Sequence, residues 1–102
     1  MLTHQKIVIG NNVRIGGDCI VIDSDCHSLN YVHRRGAVSD MLNTKSKQIT
    51  IEDDVMIGAR CIILKGVVIG ARSVIGAGAV VTRSIPADCI ACGNPAKIIK
   101  RI

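Results

Sequence analysis

The sequence contains almost no aromatic residues: Tyr31 is the single aromatic among 102 residues, and Trp and Phe are absent. Proteins that bind single-stranded nucleic acid usually stack bases on aromatic rings. The scarcity therefore argues against that class, and we expect no nucleic-acid partner. It also disfavours a compact mixed α/β core, in which large aromatic side chains normally contribute much of the buried area. The interior must be filled by Ile, Val, Ala, Leu and Cys.

A long apolar run is also missing. No stretch approaches the roughly 18 consecutive apolar residues of a membrane span, and the start, Met-Leu-Thr-His-Gln-Lys, lacks the apolar block of a secretory signal. We expect a cytoplasmic protein without membrane contact, and one domain covering residues 1–102. Its 13 Lys and Arg exceed its 8 Asp and Glu, and the net charge of +5 suits a phosphorylated small ligand as well as a larger polyanion.

A disulfide framework is not indicated either. The five cysteines are odd in number and irregularly spaced, which is typical of reduced thiols. Cys89 and Cys92 form a CxxC pattern with apolar flanks, but no second pair or histidine cluster accompanies it. We therefore expect no metal site.

What the sequence does have is a six-residue repeat. Branched aliphatic residues recur on one grid in two blocks, and the residue after a grid position is often Gly. Such self-similarity outranks other sequence features in predicting architecture. The nine grid residues are Ile9, Ile15, Val21, Ile51, Ile57, Ile63, Ile69, Ile75 and Val81.

A period of six fits neither an α-helix nor a simple two-sided strand. It fits short strands separated by corners, with one large residue per strand pointing inward. The chain then coils around an axis, successive coils pair as parallel strands, and the stacked Ile and Val side chains form one continuous core. Gly after the inward residue permits close approaches that a side chain would block.

The repeats cover about residues 7–27 and 49–86, and two segments depart from them. Residues 28–48 have no apolar ladder and are basic and polar, so we predict a loop excursion of the functional kind. Pro86 interrupts the ladder because it donates no backbone hydrogen bond. The C-terminal tail, residues 87–102, is expected to fold back over the last coil.

This Ile-Gly-x-x-Val-x pattern resembles the hexapeptide-repeat acyltransferases. The resemblance covers most of the chain, and residues 91–97, Ala-Cys-Gly-Asn-Pro-Ala-Lys, are similar to the family's terminal signature. It implies an all-β fold, a left-handed parallel β-helix with three hexads per coil. The handedness comes from the resemblance, because the spacing alone does not determine it.

Residues 23–28, Asp-Ser-Asp-Cys-His-Ser, resemble the catalytic segment of the family's sugar O-acetyltransferases. The resemblance implies that His27 is a general base that deprotonates an acceptor hydroxyl as it attacks an acyl thioester. Asp25, or alternatively Asp23, is expected to hold the imidazole in its useful tautomer.

Other interpretations of these residues stay open. His33 is a second candidate base, and both aspartates could be corner residues, since Asp tolerates tight turns. Cys26 suggests a Cys–His nucleophile, but neighbours in a strand point to opposite faces, which argues against it.

The donor site follows from the resemblance, which implies that the pantetheine arm of acetyl-CoA lies along small residues of the later coils. The matching positions are Ala59 and Ala77, for which plain packing is the alternative. Thr82 and Arg83 match a pair that contacts the nucleotide end, and Arg83 can grip phosphate at two points. The signature also matches a contact region, here represented by Asn94 and Lys97.

The function expected from these features is acetyl-CoA-dependent O-acetylation of a sugar or glycan precursor, and the resemblance implies a homotrimer with intersubunit active sites. An N-acetyltransferase of an amino sugar or xenobiotic, and a truncated, inactive or scaffold-type repeat protein, are the alternatives. A γ-type carbonic anhydrase needs three metal-bound imidazoles. It would require His4, His27 and His33 to converge, which their positions disfavour.

Overall fold

The structure is a computed structural model that describes residues 5–102. Its strands are β1 (Ile7–Ile9), β2 (Arg14–Ile15), β3 (Ile20–Val21), β4 (Ile49–Ile51), β5 (Met56–Ile57), β6 (Ile62–Ile63), β7 (Val68–Ile69), β8 (Val74–Ile75), β9 (Val80–Val81), β10 (Cys89–Cys92) and β11 (Lys97–Arg101). Two short helices, α1 (Tyr31–Arg34) and α2 (Ala37–Asn43), lie between β3 and β4. Neither is long and apolar enough to cross a bilayer.

The strands form three sheets that enclose a common core, which confirms the predicted left-handed parallel β-helix. One sheet has the order β1-β4-β7, the second β11-β10-β8-β5-β2 and the third β3-β6-β9. The nine grid residues stack in three ladders, one per sheet: Ile9, Ile51 and Ile69; Ile15, Ile57 and Ile75; Val21, Ile63 and Val81. The six-residue period is therefore one side of a three-sided coil.

The ladders are fully buried in the later coils, and two of the three are open at the first coil, where Val21 is buried but Ile9 and Ile15 are not. Ile51, Ile57 and Ile63 are at most 1% exposed, whereas Ile9 and Ile15 are 36% and 38% exposed. These two residues belong to the first coil, which has a neighbouring coil on one side only within the described chain. The grid residues therefore stack on the inner side of the coil as predicted, but Ile9 and Ile15 are not buried there.

The corners need a left-handed backbone, which the repeat did not reveal. The residue three positions after most inward residues has a positive φ, between +57° and +77°. Two of these residues are glycines, but the rest are side-chain-bearing residues that adopt this region at some cost. The set comprises Asn12, Asp18, Asp54, Arg60, Gly66, Arg72 and Gly78.

The glycines that follow inward residues serve the close approach of coils. A Cβ added at Gly58 would lie 2.6 Å from the backbone nitrogen of Ala77 in the next coil. A Cβ at Gly70 would collide with the backbone of Ala87. The structure thus agrees with the steric interpretation of these positions.

The excursion interrupts one coil without disturbing the stacking. Ile9 pairs with Ile51, 42 positions later, whereas Ile51 pairs with Ile69 after 18 positions, so the first coil holds 24 extra residues. Sequence predicted a loop here, and the structure instead contains α1 and α2. Asn30 caps α1 by accepting the backbone N–H of Val32 at 3.0 Å.

The C-terminal tail extends a sheet before it turns back. β10 adds to β8 in parallel, with Ala91 opposite Ile75, and β11 then returns antiparallel to β10. The tail therefore folds back at the edge of a sheet. Ala96 donates its backbone N–H to Val80 and packs against the core, which fixes the connection between β10 and β11.

Candidate active site

The excursion leaves and re-enters the coil through a hydrogen-bonded stem. The backbone N–H of Lys47 donates to the carbonyl of Asp23 at 2.8 Å, and that of Asp25 donates to Lys45 at 3.0 Å. An isolated antiparallel bridge joins Ser24 to Ser46 between these bonds. The stem holds the segment that follows Asp25 against the rim of the coil.

His27 lies directly beyond this stem and is held by a carboxylate from the excursion. Its Nδ1 is 2.5 Å from Oδ2 of Asp40, a residue of α2. The other oxygen of Asp40 accepts the backbone N–H of Ser28 at 2.6 Å. The His27 side chain is 70% exposed, and that of Asp40 is 15% exposed.

This pairing determines which ring nitrogen is available. When Nδ1 donates its proton to Asp40, Nε2 carries the lone pair and can accept a proton. Two hydrogen bonds lower the pKa of Asp40 below its ordinary value. The larger effect comes from His27 and the smaller one from the backbone N–H of Ser28. Asp40 therefore stays ionised and opposite the ring, as an orienting carboxylate must.

The expectation that Asp25 orients the imidazole was wrong. Its Oδ1 lies 2.7 Å from Nζ of Lys65 in the next coil, which ties the stem to the body of the helix. The other oxygen of Asp25 is buried and has no hydrogen-bond partner in the described chain. Asp40 could have been found from sequence, because it is the single carboxylate within residues 28–48.

Asp23, the alternative orienting residue, is fully buried and accepts the backbone N–H of Gln5 at 2.7 Å. Its carboxylate joins two segments that lie 18 positions apart in sequence. Cys26 has a φ of +67° and donates its backbone N–H to Ser24 Oγ. Because this backbone is not a strand, the alternation of side chains that argued against a Cys26–His27 pair does not apply here.

Cys26, His27 and Asp40 instead line one open cavity of about 320 Å³. Its remaining wall comes from α2 and from the returning arm of the stem: Ala37, Met41, Thr44 and Ser46. The cavity is of a size that suits a small molecule. His27 is thus an exposed base candidate beside a space that an acceptor could enter.

His33, the second candidate base, occupies the other side of the same segment. Its Nδ1 is 3.3 Å from Oγ of Ser28, whose side chain is buried. It lines a separate cavity of about 290 Å³ with Ser28, Lys45 and neighbouring residues. The structure therefore places the two histidines around different cavities.

Three of the predicted donor-site residues come together in space. Thr82, Arg83 and Lys97 line a cavity of about 300 Å³, together with Pro95 and Ala96. Arg83 and Lys97 are 14 positions apart in sequence, and the turn between β10 and β11 brings them together. Asn94 is exposed and lies within this turn but does not line the cavity.

Ala59 and Ala77 occupy equivalent corners of successive coils. The backbone of Ala77 packs against Gly58, one residue before Ala59, and both alanines are exposed. Small exposed side chains at stacked corners leave the adjacent backbone accessible. This corner follows β5 and β8, whereas His27 follows β3, so one chain presents the two sets of residues at different corners.

Metal ligands do not cluster in the described part of the chain. Within residues 5–102 no three His, Cys, Asp or Glu side chains are arranged to hold an ion. His4, one of the imidazoles considered for a zinc site, lies outside the described residues.

The Asp40 contact predicts a specific pH dependence of folding. A carboxyl whose pKa is lower in the folded state stabilises the fold above its unfolded pKa, and that contribution is lost as pH falls through the folded value. The melting temperature of Asp40→Asn should therefore fall less than that of the wild type between pH 6 and pH 3. Thermal melts followed by circular dichroism across this range measure the difference.

His27→Ala removes the larger cause of the shift and should reproduce most of the flattening seen in Asp40→Asn. Identical slopes in all three proteins would contradict the contact between His27 and Asp40.

Comparison with known proteins identifies the architecture. Residues 48–83 match a family model described as the hexapeptide repeat of succinyl-transferase. A Schizosaccharomyces pombe protein named as an inferred acetyltransferase is 44% identical over 96 residues, which cover 94% of this chain and 44% of that protein. The chain thus spans less than half the length of this relative.

Solved structures agree with these sequence matches. The hexapeptide-repeat acetyltransferase of Vibrio cholerae complexed with acetyl coenzyme A superposes with a TM-score of 0.82 and 43% identity, covering 93% of this chain and 49% of that one. A second structure of that enzyme gives a TM-score of 0.68 and 31% identity, with coverages of 94% and 70%.

A galactoside acetyltransferase in complex with coenzyme A gives a TM-score of 0.84 and 35% identity, covering 94% of this chain and 45% of that one. A Staphylococcus aureus 2,3,4,5-tetrahydropyridine-2,6-dicarboxylate N-acetyltransferase is 49% identical over 53 residues, 52% of this chain and 22% of that protein. Repeat, coil geometry and relatives all agree, and the chain belongs to the hexapeptide-repeat family of acetyltransferases.

Proposed function

We propose that the protein transfers an acetyl group from acetyl-CoA to a hydroxyl of a sugar or glycan acceptor, with His27 as the general base. The observation that carries this proposal is the exposed imidazole whose Nδ1 is bonded to Asp40 beside an open cavity. A base for such a reaction needs one free ring nitrogen, a fixed tautomer and room for the acceptor.

In this mechanism Nε2 of His27 removes the hydroxyl proton as the acceptor oxygen attacks the thioester carbonyl carbon. Collapse of the tetrahedral intermediate breaks the carbon–sulfur bond, and the imidazolium returns the proton to the sulfur of coenzyme A. Asp40 stabilises the imidazolium that forms between these steps. We therefore assign Asp40 a positioning role, because it acts through the His27 ring.

Arg83, Lys97 and Thr82 are proposed to hold the nucleotide end of acetyl-CoA in the cavity that they line. The two cations suit the phosphates of coenzyme A, and the guanidinium can donate two parallel hydrogen bonds to one phosphate. Ala59 and Ala77 are proposed to admit the pantetheine arm along the exposed stacked corner. Asn94 is proposed to contact the donor from the adjoining turn.

Arg83→Ala should raise the KM for acetyl-CoA about 10- to 150-fold, because a hydrogen bond to a charged group contributes roughly 1.5–3 kcal/mol. The melting temperature should stay unchanged, since the side chain is exposed. Initial-rate kinetics with varied acetyl-CoA provide the measurement. Arg35→Ala, in the excursion and outside this cavity, is the matched control, and equal effects of the two substitutions would contradict the assignment.

The separation of His27 from Ala59 and Ala77 on one chain supports an intersubunit site in a homotrimer. Outward-facing apolar side chains are available for such contacts, since Ile20, Met56 and Val68 are 47%, 50% and 39% exposed. Symmetric association commonly covers such faces. Sedimentation equilibrium should give three times the chain mass of 10.9 kDa, and a fully active monomer would contradict this arrangement.

The decisive test of the function is a thiol-release assay with acetyl-CoA and a panel of neutral sugars, amino sugars and sugar phosphates. Acceptor-dependent release of coenzyme A, with an O-acetyl product identified by mass spectrometry, supports the proposal. Products acetylated at nitrogen would favour the N-acetyltransferase alternative, which the S. aureus relative supports. The absence of acceptor-dependent release would favour a scaffold.

A further inference from the structure

The cavity around His33 is separate from the one that contains His27, yet the two share a wall. Cys26 and His27 line one cavity and Ser28 lines the other. Where the excursion returns to the coil, Thr44 and Ser46 line the His27 cavity, whereas Asn43, the last residue of α2, and Lys45 line the His33 cavity. The residues of both stem arms are thus divided between two adjacent spaces.

The His33 cavity has a cationic, hydrogen-bonding lining. Its six lining residues are Ser28, Leu29, Asn30, His33, Asn43 and Lys45, and none of them is acidic. Within residues 5–102, the ammonium of Lys45 forms no ion pair, although the basic residues Lys65 and Arg72 do. A cation that faces a cavity without a carboxylate is available to an anionic ligand.

The walls of this cavity are held in place by hydrogen bonds. The Ser28 hydroxyl accepts the backbone N–H of Asn30 at 3.2 Å and contacts His33 Nδ1, so the imidazole is fixed and its Nε2 remains available. The guanidinium of Arg34 donates to the carbonyls of Ser28 and Leu29 at 3.1 and 3.2 Å. It adds positive charge behind the wall without filling the cavity.

Ser28 also connects this cavity to the candidate base. Its backbone N–H donates to the carboxylate of Asp40, and Asp40 holds His27. Ser28 thus belongs both to the lining of the His33 cavity and to the hydrogen-bond chain that holds His27.

We infer that the His33 cavity is an acceptor subsite for an anionic substituent, a phosphate or a carboxylate, bound by Lys45 and His33. The inference that this cavity binds the acceptor rests on the proposed acetyltransferase function. It makes sugars that carry a negative charge the preferred acceptors. Lys45 is then a specificity-determining residue, and His27 and Asp40 serve charged and neutral acceptors alike.

Binding is tested without catalysis, using inorganic phosphate and glucose 1-phosphate as probes in NMR titrations of the intact protein. The His33 ring resonances should shift on addition of either probe, and Lys45→Gln should weaken binding at least 5-fold. Lys47→Gln is the matched control, because Lys47 is two residues away, carries the same charge and does not line the cavity. Equal weakening by both substitutions, or unmoved His33 resonances, would overturn the subsite.

Kinetics with glucose, glucuronate and glucose 1-phosphate distinguish a carboxylate from a phosphate as the preferred substituent. They also test the subsite separately from the proposed acetyltransferase function. Lys45→Gln should raise KM at least 5-fold for one or both anionic acceptors and leave kcat and the neutral acceptor unchanged. Transfer that depends on His27 but shows no such selectivity overturns the subsite alone. Phosphate binding at His33 and Lys45 without transfer to any acceptor supports the subsite and overturns the proposed function.

Discussion

Replacement of His27 by alanine is expected to lower kcat for acetyl transfer by about 10²- to 10⁴-fold, the range that a positioned general base contributes. The KM for acetyl-CoA should change little, because the donor residues lie in another cavity. Folding should be retained, since the His27 side chain is 70% exposed. Steady-state kinetics and thermal melts on the same preparations measure both quantities.

Arg35→Ala provides the control for the His27 variant. Arg35 lies in the same excursion, between α1 and α2, and its guanidinium stacks 5.1 Å from the Tyr31 ring centroid, away from both cavities. Its kcat should be that of the wild type. If His27→Ala and Arg35→Ala had equal activity, the assignment of the base would be refuted.

Asp40→Asn tests whether Asp40 holds the His27 ring in the tautomer that a general base needs. The amide can present its NH₂ group to Nδ1 and so favour the tautomer with the proton on Nε2, which leaves no base facing the acceptor. We expect kcat to fall while both KM values stay near the wild-type values. Recovery of activity in Asp40→Glu, which keeps the carboxylate, would distinguish positioning from a purely structural role.

The second large effect is expected in the core. Ile57 is 1% exposed and stacks between Ile15 and Ile75, so Ile57→Ala removes apolar contacts and leaves a cavity between coils. Such truncations cost about 2–5 kcal/mol. Since small domains are stable by only roughly 5–15 kcal/mol, a large part of the folding free energy should be lost.

Ile99 supplies the control for Ile57. It lies in β11 and is 64% exposed. Ile99→Ala makes the same chemical change and should cost about 0.5 kcal/mol or less, as is typical of surface positions. Urea unfolding of both variants gives the comparison, and equal destabilisation would contradict the assignment of Ile57 to the interior.

The fold was readable from sequence because its core is periodic. Inward residues at six-residue steps meet across coils in the observed ladders, so one repeat unit predicts the whole stack. The glycine after Ile57 was equally readable, since Gly58 faces the backbone of the next coil. The left-handed corners were not, because residues such as Arg60 adopt a positive φ that their side chains do not favour.

The site was only partly readable. His27 was found because it stands in a recognisable segment at the end of a repeat block. Its partner was assigned to Asp25 by proximity in sequence, whereas the structure gives that position to Asp40, 13 residues away, and pairs Asp25 with Lys65. Neither contact follows from the six-residue repeat, because each depends on how the excursion returns to the coil.

By itself, the sequence determined the coil, its core ladders and the candidate base, because these follow from short-range repetition and from one local segment. Only the tertiary structure decided which carboxylate holds His27, that the excursion contains helices, and that Arg83 and Lys97 share a cavity. The physical reason is that side chains far apart in sequence meet through the path of the connecting backbone. In an aperiodic segment that path depends on tertiary contacts such as the stem and the Lys65 ion pair.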